Sequence, residues 1–541
     1  MAAENDPFVD VVIQGREEAR LEIRPLYRER PLSALLARAG IVLNTRCGQK
    51  GLCRGCEVVR ADGAPVKSCQ VPSEEFAGER IRIPDKSLLQ ETLSVAVDFQ
   101  PRCGFDLRPV CGDGTEGYGL CIDIGTTTVV LALVELEDGR IAGRSSGYNA
   151  QVRIGEDVLT RIEACAEAGR VAEAQDLLLN GTLALLWDEL STRTGLSLDA
   201  VAAVTVAGNT TMLHLLVGED PTAMGKVPFR PAFTEMKALR ASDLPWKEGP
   251  FSDREDLTLY LLPGYAAYVG ADIAAGWLAS GMADAPGTTL LLDIGTNGEI
   301  LLQHEGQLTG CATAAGPAFE GTQLTWGTRA IPGAVSRLHG GLGQGDSLTV
   351  ETVGNRRGRA AGFCGSAYLD FMALGMEAGL LMPNGRFDTE AAAAAGIALG
   401  ATEFGRCWYL HPEDPEGPSI NEADIALLLQ AKAAIAAGME ILLKQAGVRH
   451  ENVNTLFLAG GFGLNIGIES AVRCGLLAGF LPEQVEVVGN TSLGGAYVGL
   501  LDRERLGQLT RSTADARIIE LNEDPDFEDT FIDHLILEAP D

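Results

Sequence analysis

Basic residues are scarce in this sequence: Lys and Arg total 43 against 74 Asp and Glu, a formal net charge of -31 over 541 residues. A surface of that sign repels a phosphate backbone and leaves no basic stripe to hold one, so nucleic acid is not an expected partner. Long apolar runs are also lacking. ALLLQAKAAIAAGMEILL is broken by Lys432 and Glu440, and the opening MAAENDPFVD has neither a cationic stretch nor an apolar one. The expectation is a cytoplasmic chain with no membrane span and no export signal. Cysteine is thin, 12 in all, too sparse for a disulfide scaffold, which turns attention to the subset that clusters. Two phosphate-binding patterns are missing as well: there is no G-x-x-x-x-G-K-[ST] loop and no strand-first G-x-G-x-x-G.

What is present begins with TRCGQKGLCRGC. Cys47, Cys53 and Cys56 are spaced C-x5-C-x2-C, and Cys69 follows twelve residues that read as a hairpin, EVVRADGAPVKS. Four thiolates are the ligand count of a 2Fe-2S cluster; the plant-type loop is one residue shorter in its first gap, and the longer gap resembles the adrenodoxin branch of the ferredoxins. Gly48, Gly51 and Gly55 let a loop bend through conformations closed to residues with a β-carbon while aiming N–H groups at sulfur. A four-cysteine zinc site uses the same ligands, usually as two short knuckles, whereas this loop is contiguous with one C-x2-C pair. Zinc and unrelated thiols remain the alternatives to iron–sulfur. Ahead of the loop, residues 9–13 and 21–23 read as strands and PLSALLARAG as a short helix. Cys103, Cys111 and Cys121 have irregular gaps and no glycine cradle, and read as core or linker thiols.

Residues 95–117, rich in Gly, Pro and charge, read as a linker. After it, YGLCIDIGTTTVVLALVEL is an apolar strand, a tight turn with three hydroxyls, and a second strand; the pattern returns in TTLLLDIGTNGEILLQH, and a third glycine turn follows in LFLAGGFG. A duplicated lobe is the simplest reading. Such loops suit nucleotide phosphates: Gly125 and Gly295 let backbone N–H groups approach phosphate oxygens. Thr126, Thr127, Thr128, Thr296 and Asn297 offer polar side chains, and Asp123 and Asp293 stand where a carboxylate can hold hydrated Mg2+. One D-x-G-T turn alone is most often a plain hairpin; two copies with a strand-ending Gly460-Gly461 turn are a stronger signal. The alanine run AAAAAGIALGA and the helix IALLLQAKAAIAAGMEILLKQAG read as core helices, and the acidic NEDPDFED as a solvated face.

The three turns resemble the phosphate-1, phosphate-2 and adenosine elements of the ASKHA superfamily of actin, sugar kinases and chaperone ATPases. More specific stretches resemble the ATP-dependent reductive activators of corrinoid-dependent enzymes: QVRIGEDVLTRI, VAGNTTMLHLLVG, AGPAFEGTQLTWGTRAIPGAV, GFCGSAYLDFMALG, AGGFGLNIGIESAVRCGLL and GNTSLGGAYVGLL. The resemblance implies an α+β ferredoxin-like (β-grasp) domain over residues 1–94, a linker over 95–117, and a two-lobed α/β ASKHA domain with lobe I at 118–285 and lobe II, with a C-terminal extension, at 286–541. It implies one 2Fe-2S cluster on Cys47, Cys53, Cys56 and Cys69. It implies ATP and Mg2+ at the lobes, with Asp293 and Asp123 catalytic, Thr126 to Thr128 and Thr296 to Asn297 on phosphate, and Gly460 to Gly461 beneath adenosine.

The implied partners are a corrinoid protein or methyltransferase carrying Co(II), to be returned to Co(I), an external low-potential electron donor, and a second copy in a homodimer. None of the six histidines stands in the D-x-H-x-x-G pattern of cobalamin modules, so the corrin belongs to the partner. The stretch between Cys69 and the first ATPase strand is short for relatives with an additional middle domain, which implies that the domain is absent. After Cys407 only Cys474 follows, so no second cluster is expected. A small-molecule kinase, or a nucleotide-gated redox sensor with a regulatory cluster, are the competing readings.

Overall fold

The β-branched run FVDVVI produces β1 (Phe8–Ile13), with Val9 and Val11 on one face wholly buried. β1 pairs antiparallel with β2 (Glu18–Glu22), and the helix Leu32–Arg38 follows. The hairpin β3 (Glu57–Val59) and β4 (Pro65–Lys67) is turned by Gly63 at φ +88°, and β5 (Arg80–Ile83) lies parallel to β1. The mixed sheet has the order β2-β1-β5-β3-β4, and its core includes Leu32, Leu36, Val58, Phe76, Ile81 and Ile83.

The computed structural model describes the chain apart from residues 1–6, 14–17, 24–27, 40, 42, 44–55, 85–86, 88–98, 115, 156, 248, 322, 343–346, 356–357, 462, 464–465 and 538–541. It divides into two units, one of Met1–Thr92, Gly316–Ala431 and Ile536–Glu538, the other of Leu93–Ala315, Lys432–Leu535 and Ala539–Asp541.

The second unit repeats one sheet design. In its first sheet β6 (Tyr118–Ile124), β7 (Thr128–Glu135) and β8 (Ile141–Tyr148) form an antiparallel meander and β9 (Val201–Gly208) runs parallel to β6. β10 (Lys237–Arg240) and β11 (Thr258–Leu261) complete the order β10-β11-β9-β6-β7-β8. β12 (Thr289–Ile294), β13 (Gly298–His304) and β14 (Gln307–Thr313) repeat the meander. Between them and the next strand of that sheet, the first unit takes the hairpin β15 (Val335–Gly340) and β16 (Leu348–Thr352). It also takes a sheet of β17 (Leu399–Thr402), β18 (Gly405–Tyr409) and β19 (Ser419–Asn421). β20 (Thr455–Ala459) then runs parallel to β12, as β9 does to β6, and β21 (Val485–Gly489) and β22 (Arg517–Ile518) give the order β21-β20-β12-β13-β14-β22. The two DIGT copies in the sequence thus correspond to two meanders with one topology.

Two helices join these sheets at close range. Thr491–Leu501 packs on Ala271–Ala279 so tightly that a β-carbon on Gly495 would stand 2.3 Å from the Ala275 carbonyl oxygen. Thr205 Oγ1, on β9, donates to the Ala496 carbonyl at 2.8 Å. Described residues from Phe99 onward, within the stretch read as a linker, strap this layer: Arg102 N–H donates to the Ala279 carbonyl at 2.8 Å and Val110 N–H to that of Leu500 at 2.9 Å.

One helix among the described residues, Glu422–Ala446, is long and apolar enough to cross a bilayer, and 78% of its apolar window is buried within the protein. It is the core helix the sequence suggests. The alanine run is not: its helix, Thr389–Ala394, is short and buries only Ala392, because Gly396 at φ +67° ends it before a second apolar turn can form.

Candidate functional site

The strand-end aspartates come together. Asp123 is the penultimate residue of β6 and Asp293 of β12, and the Coulomb field of each reaches the other. Asp123 is fixed by two donors from the start of the Thr491–Leu501 helix: Asn490 Nδ2 at 2.9 Å and Ser492 Oγ at 2.7 Å. Two further carboxylates join them. Asp272 lies in the first turn of the Ala271–Ala279 helix, and Glu299 is the register partner of Asp293 across the β12–β13 hairpin.

Burial and the neighbouring charges hold these carboxyls above their ordinary range. Burial pushes Asp293 up to about 7, with the charges of Asp272 and Asp123 adding to the effect. Asp272 is pushed to about 6, by burial first and Asp123 after. Glu299 stands well above its ordinary value through burial, Asp272 and Asp293. Asp123 is raised by burial against the lowering pull of Ser492 and Asn490. Four carboxyls repelling one another in a half-buried setting form a site short of positive charge.

The first turn is held from behind. Gly125 N–H donates to the Thr128 carbonyl at 3.0 Å, and the Asn149 side chain donates to the Gly125 carbonyl at 3.0 Å. The Asn149 backbone N–H donates to the Thr127 carbonyl at 2.8 Å. Asn209, which caps the Thr210–Val217 helix, donates through Nδ2 to Thr126 Oγ1 at 2.9 Å. Gly270 is obligatory beside it: a β-carbon there would meet Asp272 Oδ1 and Thr210 N, both at 2.8 Å. In the second turn Gly295 N–H donates to the Asn297 carbonyl at 2.9 Å, with Thr296 between them. Gly460, at φ +89°, presses on Asp293, whose Oδ1 would lie 2.7 Å from an added β-carbon; Gly461 has nothing within 4 Å and leaves its backbone open.

The duplication is not exact at the tips. Ile124 pairs with Val129 across a four-residue turn, while Ile294 pairs with Gly298 across three. The shorter turn places Glu299 opposite Asp293, where the first hairpin has Val130 opposite Asp123.

These residues suit a Mg2+–nucleotide. Among the described residues no three His, Cys, Asp or Glu side chains are gathered as a ready metal cage. Mg2+ characteristically takes only one or two carboxylates, completing its shell with phosphate oxygens and water, so strand-end carboxylates beside backbone turns meet the need.

At the cysteine cluster, Cys47 and Cys53 lie outside the described residues. Cys56 and Cys69 are both buried and flank the β3–β4 hairpin, which brings them to the same end: Ser68 N–H donates to the Cys56 carbonyl at 3.1 Å and Ser68 Oγ at 2.7 Å. Gln70 Nε2 donates to Cys69 Sγ at 3.3 Å, the kind of contact that tunes a metal-bound thiolate. The described half of the ligand set therefore fits a cluster.

Duplicated meanders with paired strand-end carboxylates and glycine turns define a nucleotide-binding unit of ASKHA type. The family model described as the C-terminal domain of RACo, the ASKHA domain, matches residues 287–541. The model described as the RACo middle region matches 118–285. The chain is 30% identical over 423 residues to the corrinoid activation enzyme RamQ of Eubacterium limosum, covering 77% of this chain and 69% of that protein. It is 24% identical over 421 residues to the [Co(II) methylated amine-specific corrinoid protein] reductase of Methanosarcina barkeri, covering 72% and 71%. Among solved structures it aligns with a reductive activator for corrinoid, iron-sulfur protein at TM-score 0.70 and 27% identity, covering 98% of this chain and 99% of the other. The chain belongs to the RACo family of corrinoid reductive activators. The family's middle region coincides with the stretch read as lobe I, 118–285.

Asp272, Glu299, Asn149, Asn209, Asn490 and Ser492 carry no assignment from the sequence. Three of them, Asn209, Asn490 and Ser492, sit inside the quoted VAGNTTMLHLLVG and GNTSLGGAYVGLL stretches, where an N-capping Asn at the start of an apolar helix was the available signal. Asp272 and Glu299 become visible only through packing and register.

Proposed function

We propose that this chain is an ATP-hydrolysing activase that returns the Co(II) corrinoid of a partner methyltransferase or corrinoid protein to Co(I). The observation that carries the reading is the alignment over 98% of the chain with a solved reductive activator. One electron comes from an external low-potential donor and reaches cobalt by way of the front domain, and phosphoryl transfer goes from ATP to water. Residues 1–94 form the ferredoxin-like β-grasp domain, a reading supported by the order β2-β1-β5-β3-β4 and by the buried Cys56 and Cys69. Cys47, Cys53, Cys56 and Cys69 hold a 2Fe-2S cluster, which supplies one-electron relay when bound. Residues 95–117 lead into lobe I at 118–285 and lobe II at 286–541.

In the second unit Asp123, immobilised by Asn490 and Ser492, would hold hydrated Mg2+. Asp293, whose carboxyl is held near 7, orients the attacking water and can take its proton. The Thr126–Thr128 and Thr296–Asn297 turns bind phosphates and Gly460-Gly461 underlies adenosine. Each 100 mV of unfavourable one-electron potential costs about 2.3 kcal/mol, and linked binding shifts equilibria by about 1–3 kcal/mol, so nucleotide-dependent docking suffices for a modest gap. The chain works in the cytoplasm as a homodimer.

The test follows Co(I) absorbance anaerobically, with substoichiometric chain, excess reductant and a Co(II) corrinoid protein. ATP-dependent turnover in the wild type that disappears in both Cys53→Ser and Asp293→Ala is the expected result. Equal reduction without ATP, or phosphorylation of a metabolite in place of cobalt reduction, overturns the reading.

A further inference from the structure

Arg161 is among the largest fully buried side chains, 1% exposed, on the Val158–Ala164 helix. Its guanidinium bonds are made to neutral groups: Nε donates to the Gly155 carbonyl at 2.9 Å, Nη1 to Gln151 Oε1 at 3.2 Å and Met212 Sδ at 3.1 Å, and Nη2 to the Thr126 carbonyl. Among the described residues no carboxylate is hydrogen-bonded to it. Asp157, whose charge it feels, caps the same helix by accepting from Thr160 N–H at 2.8 Å, and Cys165 is the other group that acts on it electrostatically. Burial draws the Arg161 pKa down to about 9. A buried cation that the protein leaves without a bonded anion is costly unless something else supplies the charge.

Its place in the turn says what that is. The carbonyls of Gly125, Thr126 and Thr127 are drawn back, by the Asn149 side chain, Arg161 and the Asn149 backbone respectively. In a trans peptide the N–H points opposite the carbonyl, so the bond from Arg161 turns the Thr127 N–H away from the guanidinium and polarises it toward an anion on the other side. We propose that Arg161 is a positioning residue for the phosphates of the bound nucleotide: it fixes the Thr126–Thr127 peptide and supplies, through it, the positive charge that the polyphosphate completes. This rests on the nucleotide-binding reading above and adds a preference within it for polyphosphate over the bare nucleoside.

Affinities of the full chain for ATP with Mg2+ and for adenosine, measured calorimetrically in the wild type, Arg161→Gln and Arg161→Lys, test it. Arg161→Gln is expected to weaken ATP by roughly tenfold or more while adenosine changes by less than about threefold, and Arg161→Lys to keep ATP within about threefold. Equal weakening of both ligands in Arg161→Gln, unchanged ATP affinity there, or a Lys variant as weak as the Gln variant overturns the proposal. Should Arg161→Gln not fold, Arg161→Lys decides: retained ATP affinity supports the role and a roughly tenfold loss overturns it. Failure of the wild type to bind ATP at all overturns the nucleotide reading itself, and is distinguishable from selective loss in the variants.

Discussion

Asp293 sets function against stability at the scale of one side chain. Its carboxyl stands near 7 in the folded chain against an ordinary 3.8. The folded state therefore keeps a proton that the unfolded state has released, so stability falls as pH rises from about 4 to about 7 and the cost is complete above that. Asp293→Asn should make the nucleotide-free protein more stable by about 1–3 kcal/mol near pH 8, discounted for partial exposure, with the gain fading toward pH 4. Thermal melts across that range check it, and ATP hydrolysis should be lost. Ser492→Ala, which removes the 2.7 Å bond to Asp123, should lower hydrolysis while costing about 1 kcal/mol of stability. The sequence disclosed Asp123 and Asp293 because a strand-end carboxylate before a glycine turn is a local pattern. It could not disclose Glu299, whose meeting with Asp293 depends on a turn one residue shorter than its counterpart, or Asp272, which arrives from a helix.

Among the elements, the contact between Ala271–Ala279 and Thr491–Leu501 is the most exacting. Gly495→Ala would set a methyl against the Ala275 carbonyl at 2.3 Å, so the helices must separate. A loss of about 1–3 kcal/mol is expected, with a larger relative loss of ATP hydrolysis because Asn490 and Ser492 travel with the displaced helix. Melting and steady-state hydrolysis measured side by side separate the two effects. In the front sheet, Gln70→Leu removes the donor to Cys69 Sγ, and a redox titration followed by electron paramagnetic resonance should show a more negative cluster potential. Strands, hairpins and the long core helix were legible because their apolar periodicity is strong and local. The alanine run misled because alanine marks helix propensity without marking burial.

For the molecule as a whole, Cys56 and Cys69 fall in one unit and the carboxylate cluster in the other. Cys53→Ser should abolish iron incorporation yet leave the ATP-induced shift in melting intact, measurable by scanning calorimetry with and without nucleotide. A joint loss would show that the two sites fold as one. The reach from Asn490 to Asp123, 367 positions along the chain, also has a bearing on biosynthesis. At about 5–20 residues per second, a ribosome that has made Asp123 needs on the order of 20–70 seconds more before the residue that immobilises it is even translated. Until then the hairpin carries an unanchored acid and half a cleft, so nascent chains should consume no ATP. A chain stopped before Asn490, assayed for hydrolysis, should be silent, and activity in it would show that the anchor is dispensable. The linkage makes the energy-consuming step a property only of a chain translated beyond that helix, well after residues 1–94 have left the ribosome.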